Sequence, residues 1–372
     1  MDLDALAAAG LYDPTAPDAA DRRALLEYLT ELGCTVPEMI AAERRGRLFG
    51  LAGDRIIRPG GDTYTLAEVA QRVGAELSLV ERCWRAAGLP DPGTDLAVAS
   101  EADVEAIAGV VLGTQLLGVE AMLGLVRVIG ASTARIAEAE SALVRSQISD
   151  LTLESSRSEA VTAQAFAAAA QFVPQLAAII DVLHRHHLDN VRRHVELSDS
   201  TGLIQQGGIR YAVGFADLSG FTAASQAVPM AELSRLVTRF EETASDVVHA
   251  AGGRVVKFIG DAAMFVAPQP LTGGRIALDL IDELAVEAHL PVRVGLTYGD
   301  LLALDGDYFG PSVNLASRLV GLAEPGQALV STELATRLAD SGWALTTLPA
   351  RAVRGYDEPV VSVDLQRVAA PE

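Results

Sequence analysis

The spacing of apolar residues changes near residue 205, and this change limits the chain to two differently built domains. Before it, apolar residues recur every three or four positions between Gly, Pro and Asp breaks, which predicts helices and almost no strands. After it, strand-like runs alternate with helical patterns. A length of 372 residues suffices for two or three domains with their own cores.

Residues 1–197 are predicted to form an all-helical domain. A helical pattern runs from about 156 to 197 with Pro174 as its only proline, so it predicts one kinked helix or two consecutive helices. Residues 198–208 are mostly small and polar and end in two glycines, which indicates a linker. The other predicted helices are Asp18–Leu32, Thr65–Val73, Ser78–Ala87, Glu101–Leu112 and Gly118–Arg145.

Residues 209–372 are predicted to form an α+β domain. The order β-α-β-β-α-β predicts a ferredoxin-like sheet with helices on one face, plus additions. The predicted helices are Met230–Ala251, Thr272–His289 and Ser312–Leu322. The predicted strands are 210–218, 254–259, 263–267, 292–297, 301–304 and 328–331, with a closing antiparallel pair near 344–348 and 360–365.

The charge of the chain excludes some classes of partner. A net charge of -20 argues against a dedicated binder of nucleic acid or anionic membrane, because phosphates would meet a repulsive field. Cys34 and Cys83 fit neither a metal site nor a disulfide framework. The N-terminus lacks the features of a signal peptide, and the most apolar stretch, Ala106–Val119, is too short to cross a bilayer. We therefore expect a cytoplasmic protein without a membrane span.

Lys257 is the only lysine among 29 basic residues, all others being arginine. A chain that otherwise uses arginine has kept one compact ammonium beside an acidic turn. This choice suggests chemistry that a planar guanidinium cannot perform. Function is therefore to be sought around Lys257.

Acidic and polar residues of the second domain predict a site for a triphosphate. Asp217 at the end of a strand and Asp261 in a hairpin turn could hold two divalent ions, which orient a triphosphate and lower the pKa of an attacking hydroxyl. The turn Leu218–Thr222, which includes Phe221 and Thr222, offers backbone N–H groups to phosphate oxygens. Asn314 and Arg318, four apart on a helix, form a donor pair for a ribose oxygen and a phosphoryl group.

Residues 209–368 resemble the class III nucleotidyl cyclases, through Phe215–Thr222, Lys257–Asp261 and Asp307–Arg318. The resemblance implies conversion of ATP to 3',5'-cyclic AMP and pyrophosphate with two Mg²⁺ or Mn²⁺ ions per active site. By this resemblance Asp217 and Asp261 bind the metals, Lys257 and Asp307 read adenine, Asn314 and Arg318 stabilise the transition state, and Arg354, in a looser alignment, binds the triphosphate.

The family also implies a homodimer with composite active sites. Its metal aspartates come from one subunit, and its base-reading and transition-state residues come from the partner. This chain carries both sets, so two copies would form two equivalent sites and a monomer would be inactive.

The base-reading pair favours ATP over GTP. Adenine presents N1 as an acceptor and its 6-amino group as a donor, which Lys257 and Asp307 match. Guanine presents the reverse polarity, so a guanylyl cyclase is the alternative that this pair disfavours.

A second alternative is a nucleotide-sensing transcription regulator. Residues 64–90 resemble a helix-turn-helix of the MerR kind, whose second helix would read DNA. Acidic residues accompany its arginines, so no basic face emerges and a structural helical hairpin is favoured.

Four of the six histidines lie just before the linker, and His184, His187 and His194 share one helical stripe. Histidine changes charge between about pH 5 and 8, so the stripe could bias an on/off equilibrium. The arrangement resembles actinobacterial cyclases whose helical N-terminal domain inhibits the catalytic dimer and responds to pH. A solvated basic stripe without regulatory function is the alternative.

The apolar segment Ala106–Val128 suggests a groove for a fatty acyl chain, and hence a lipid ligand of the N-terminal domain. A simpler interpretation is that it forms the core or the dimer seam of this domain.

Overall fold

The computed structural model describes residues 2–58, 60–147, 153–197, 208–221, 225–226, 228–287 and 291–368. The chain packs into two compact units, Met1–Arg185 and His186–Glu372. Residues 198–207 of the predicted linker lie outside the described ranges, so the predicted domain limits of 1–197 and 209–372 stay a prediction.

Helices build the first unit. Capping boxes start several of them; Thr65 and Ser100, for example, each exchange hydrogen bonds with an acidic residue three positions later. The sole β interaction among the described residues of this unit is an isolated bridge between Tyr64 and Ala99. The helices are α1 (Leu3–Ala8), α2 (Ala19–Glu31), α3 (Val36–Glu43), α4 (Leu51–Ile57), α5 (Leu66–Val73), α6 (Leu77–Ala86), α7 (Glu101–Leu117), α8 (Val119–Gln147), α9 (Leu153–Ser156), α10 (Glu159–Ala170) and α11 (Val173–Leu197), which begins in the first unit and ends in the second.

Two apolar clusters form the core of the first unit. The first joins α1–α4 to α10, whose buried side chains are mostly alanines, so this helix lies close to its neighbours. The second joins α5, α6 and α7 around Val69, Val80 and Trp84. The predicted α2, α5, α6, α7, α8 and the helix pair α10–α11 are present, whereas the short α1, α3, α4 and α9 were not predicted.

The second unit is a mixed sheet with helices. Its strands are β1 (Gly208–Leu218), β2 (Arg254–Ile259), β3 (Ala262–Ala267), β4 (Val292–Leu304), β5 (Asp307–Phe309), β6 (Ala328–Ser331), β7 (Ala344–Thr347) and β8 (Ser362–Gln366). Its helices are α12 (Met230–Ala250), α13 (Pro270–Glu287), α14 (Pro311–Leu322) and α15 (Thr332–Arg337).

The strand order is β2-β3-β1-β4-β6-β8-β7, and β5 pairs with the end of β4. β1 lies antiparallel between β3 and β4, and β2 is antiparallel to β3, so the first four strands have the ferredoxin-like arrangement. The predicted fold class is therefore confirmed. The strands after β4 are the predicted additions, and β4 pairs with β6 in parallel.

Two features of the sheet differ from the prediction. α12 and α13 pack on one face, but α14 packs on the other face through Val313, Ala316 and Val320, so the helices are not confined to one face. The predicted strands 292–297 and 301–304 are one strand, because β4 pairs continuously with β1 and Gly299 keeps Tyr211 as its partner. The prediction also missed β5 and α15.

Candidate active site

Asp217 and Asp261 lie next to each other at one edge of the sheet. In the β1–β3 register Asp217 is opposite Ala262, the residue that follows Asp261. The backbone N–H of Leu218 donates to the carbonyl oxygen of Asp261 at 3.1 Å, which closes this end of the strand pair. The two carboxylates predicted to bind metal are therefore brought together by backbone pairing alone.

The electrostatics of this pair fit divalent cations. The pKa of Asp261 is raised, first by burial and also by the negative charge of Asp217. A bound cation would offset both effects. No group of three or more His, Cys, Asp or Glu side chains among the described residues is placed to hold a metal ion, so two carboxylates would supply the protein ligands and other oxygens would complete the coordination.

Arg293, which the sequence analysis missed, pairs with Asp217. Its Nε and Nη2 atoms donate to Asp217 Oδ2 at 2.8 and 2.5 Å. Both bonds use the same oxygen, so Oδ1 remains available for another cation. The antiparallel register places Arg293 directly opposite Asp217, and only that register could have revealed the contact.

Lys257 and Asp307, predicted to read adenine, form an ion pair between β2 and β5. The two side chains are 37% and 26% exposed, so a ligand can reach them. The second carboxylate oxygen of Asp307 accepts the backbone N–H of Tyr308 at 2.8 Å. A donor and an acceptor are therefore held side by side, as recognition of adenine requires.

Asn314 and Arg318 lie on the outward face of α14. Ala316 and Leu319 of the same helix are fully buried, whereas Asn314 and Arg318 are exposed. Arg318 has no ion pair within the described part of the chain. These two donors are therefore free to contact a ligand.

The remaining predicted substrate residues are more scattered. Phe221 is half-buried and packs against the apolar core between the sheet and α12 and α13. Thr222 lies outside the described residues. Arg354 is exposed in a turn before β8 and makes no ion pair among the described residues.

The predicted regulatory histidines lie on a helix with compensated charges. His184 and His187 of α11 are exposed, and the side chain of His194 lies outside the description. Nearby arginines pair within the helix: Arg185 with Asp181 at 3.0 Å and Arg192 with Asp189 at 2.9 Å. The charges of these two arginines are therefore already balanced by carboxylates of the same helix.

The helix-turn-helix segment does not present a basic face. Arg72 pairs with Glu101 at 3.1 Å, and Arg82 pairs with Glu120 at 2.6 Å. Phosphate contacts would need these guanidinium groups to be free. The transcription-regulator alternative is therefore not favoured.

Two apolar surfaces occur in the helical unit. In the segment considered for a lipid, Leu112, Leu116 and Leu117 are 67%, 84% and 56% exposed. By length and composition, the helical segment Glu159–Arg193, which comprises α10 and most of α11, could cross a membrane, and 11% of its most apolar part is buried.

Comparison with known proteins connects both halves of the chain to one enzyme family. The adenylate cyclase regulatory domain matches residues 4–192, and the adenylate and guanylate cyclase catalytic domain matches residues 209–362. An uncharacterised protein of Mycobacterium tuberculosis is 45% identical over 368 residues, which is 98% of this chain and 94% of the relative.

Two further relatives are named as enzymes. An adenylate cyclase of Streptomyces coelicolor is 35% identical over 74% of this chain and 71% of the relative. A pH-sensitive adenylate cyclase of M. tuberculosis is 31% identical over 87% of this chain and 81% of the relative. The crystal structure of an adenylyl cyclase from P. aeruginosa aligns with 44% of this chain and 97% of its own, at 24% identity and a TM-score of 0.41. By its two matching domains and its relatives, this chain belongs to the class III adenylate cyclases and is an adenylate cyclase with an N-terminal regulatory domain.

Proposed function

We propose that this enzyme converts ATP to 3',5'-cyclic AMP and pyrophosphate at two composite sites in a homodimer. The observation that carries the proposal is the adjacency of Asp217 and Asp261, two carboxylates whose mutual repulsion a bound metal ion would offset. Mg²⁺ or Mn²⁺ is the cation class that suits carboxylate and phosphate oxygens.

The residues at this edge would orient the triphosphate. Two divalent ions, when bound, would align the triphosphate and lower the pKa of the ribose 3'-hydroxyl. Asp217 would offer Oδ1, because Arg293 occupies Oδ2. The guanidinium of Arg293 lies beside this carboxylate, so it would also contact phosphate oxygens when the nucleotide binds.

Lys257 and Asp307 would select the base. Lys257 would donate to adenine N1, and Asp307 would accept from the 6-amino group. The ion pair between them holds the ammonium and the carboxylate side by side. When the base binds, both groups must also form hydrogen bonds to adenine. Guanine would place an N–H against the ammonium and a carbonyl against the carboxylate, so GTP would be rejected.

Asn314 and Arg318 would act on the nucleotide held by the other subunit. Their exposure, together with their shared helix face, suits donors that complete a partner's site. Asn314 would orient the ribose, and Arg318 would stabilise charge at the α-phosphate in the transition state. No side chain among the described residues of the site is an obvious general base, so deprotonation of the 3'-hydroxyl would rely on the bound metal and on substrate oxygens.

The predicted N-terminal domain, residues 1–197, is proposed to inhibit the enzyme in a pH-dependent way through His184, His187 and His194. The relative named pH-sensitive and the regulatory-domain match support this proposal. We further propose a cytoplasmic enzyme, with a lipid ligand of the helical unit as a subsidiary hypothesis.

The direct test is nucleotide turnover by the full-length chain with Mn²⁺ and either ATP or GTP, from about pH 5.5 to 8. We expect cyclic AMP from ATP and at most a trace of cyclic GMP from GTP. Asp217→Asn is the matched inactive control. Equal turnover of both nucleotides would contradict the base-reading assignment, and an active Asp217→Asn variant would contradict the metal assignment.

A further inference from the structure

An irregularity in β2 places two cations on the same face of the sheet. Arg254 is opposite Val266 and Lys257 is opposite Met264, with a register shift between Val255 and Lys257. In a regular strand, residues three apart point to opposite faces. The extra residue of this bulge turns the side chain of Lys257 to the same face as that of Arg254. Both side chains therefore reach the face that β5 covers.

Each cation binds one of two consecutive residues of β5. Lys257 pairs with Asp307, and Arg254 Nη2 donates to the hydroxyl of Tyr308 at 2.7 Å. The guanidinium carbon of Arg254 also lies 5.4 Å from the centre of the Tyr308 ring. β5 has three residues and, among the described strands, pairs with the end of β4 alone, so these side-chain contacts help to fix its position.

The surroundings make the tyrosine contact specific. Arg254 is half-buried and makes no ion pair in the described part of the chain, so the Tyr308 hydroxyl is its polar acceptor there. The buried Tyr308 ring meets Tyr211 edge to face, with ring centres 5.9 Å apart. Burial raises the pKa of Tyr211 far above its ordinary value, so the ring that packs against Tyr308 stays uncharged.

We propose that Arg254 and Tyr308 are positioning residues that set the discrimination between adenine and guanine. Arg254 holds Tyr308, whose backbone N–H fixes one oxygen of Asp307 and leaves the other for Lys257. The inference rests on the proposed base-reading role of Lys257 and Asp307. Loss of the Tyr308 hydroxyl loosens β5, and adenine, which needs both partners in place, loses more than guanine does.

The test compares Tyr308→Phe and Arg254→Gln with Tyr298→Phe in the full-length enzyme. Tyr298 is a matched control because it is also a buried tyrosine of this sheet, but lies on the opposite face. Its ring centre lies 4.6 Å from the guanidinium carbon of Arg337. The readout is the ratio of kcat/KM for ATP to that for GTP. Where too little cyclic GMP forms to measure kcat/KM for GTP, the inhibition constant of GTP against ATP is measured instead.

Tyr308→Phe and Arg254→Gln are each expected to lower this ratio about threefold to tenfold, the effect of one hydrogen bond, mainly through a higher KM for ATP. The double variant should lose no more than the stronger single variant, because both remove the same contact. Tyr298→Phe should leave the ratio unchanged. If Tyr308→Phe fails to fold, Arg254→Gln decides the outcome.

A Lys257→Met variant separates this inference from the function on which it rests. If Lys257→Met lowers the ratio but Tyr308→Phe and Arg254→Gln leave it unchanged, the positioning role is wrong and the base-reading role stands. If Lys257→Met also leaves the ratio unchanged, the base-reading role itself is wrong. A loss of kcat without a change of ratio in the two positioning variants would indicate a purely structural contact.

Discussion

Single residues at the metal edge carry opposing demands of stability and function. Asp261 has a raised pKa in the folded protein, so its ionised form is disfavoured there. Its favourable contribution to stability is therefore present below its ordinary pKa of 3.8 and is lost as the pH rises through the raised folded value. At neutral pH the metal-free protein keeps this carboxylate at a cost.

Asp261→Asn should separate these two demands. Cyclase activity should fall by about two orders of magnitude or more, since the metal ligand is lost. The melting temperature without metal should rise at pH 7, and the gain should shrink on acidification. Calorimetry between pH 4 and 7 with a parallel Mn²⁺ assay checks both; a lower melting temperature at pH 7 would contradict the electrostatic account.

Arg293→Gln tests whether this arginine competes with metal for Asp217. Without the guanidinium, Asp217 is left beside Asp261 uncompensated, so Mn²⁺ alone should raise the melting temperature more than in the wild-type chain. Arg210→Gln is the matched control, because it breaks another β1–β4 ion pair, with Asp300 at 2.6 Å. Equal Mn²⁺ shifts in all three proteins would contradict the competition.

Site residues within sequence motifs could be predicted, whereas residues brought to the site by the pairing register of the strands could not. Asp217, Asp261, Lys257 and Asp307 stand out by type and spacing, and the structure brings them together in two pairs. Arg293 became visible only through the β1–β4 register. The role of Arg254 became visible only through the bulge in β2. The sequence does not indicate this bulge, because the two adjacent valines, Val255 and Val256, each face an apolar cluster.

At the level of elements, one glycine sets the position of α14. A Cβ atom on Gly295 of β4 would lie 2.2 Å from the backbone nitrogen of Val320 and 2.4 Å from the carbonyl oxygen of Ala316. Backbone atoms of a helix cannot yield as a side chain can. The close approach of α14, which carries Asn314 and Arg318, therefore depends on the missing side chain.

Gly295→Ala should displace α14, lower stability by about 1–3 kcal/mol and reduce cyclase activity. Gly321→Ala, in the same helix, is the control, because nothing lies within 4 Å of its added Cβ. This second change should be neutral or stabilise by up to about 1 kcal/mol. Urea unfolding and the ATP assay measure both; equal stability of the two variants would mean that α14 can move without cost.

Over the whole molecule, the sequence predicts best where a long period is visible. The long helices α7, α8 and α11 and the strands up to β4 follow clear patterns, so the fold class could be predicted. α1, α3, α4, α9 and β5 are three to eight residues long, too short for a period to emerge. The placement of α14 on the opposite face depends on close packing at Gly295, which no periodicity encodes.

The histidine stripe of α11 is proposed to make the activity of the whole molecule depend on pH. Replacing His184, His187 and His194 by Gln should flatten the pH dependence of cyclase activity between about pH 5.5 and 7.5, since the titrating charges are removed. A matched control replaces His249, at the end of α12 in the catalytic unit, by Gln. An unchanged pH–activity profile in the triple variant would assign pH sensing to other groups.

Each active site is proposed to take its metal carboxylates from one subunit and its transition-state donors from the other. The most direct measurement uses a mixed dimer of Asp217→Asn and Arg318→Ala chains, isolated through two different tags. Each parent dimer should be inactive, whereas the mixed dimer should have one intact site and about half of the wild-type activity. A mixed dimer as inactive as its parents would contradict the composite site.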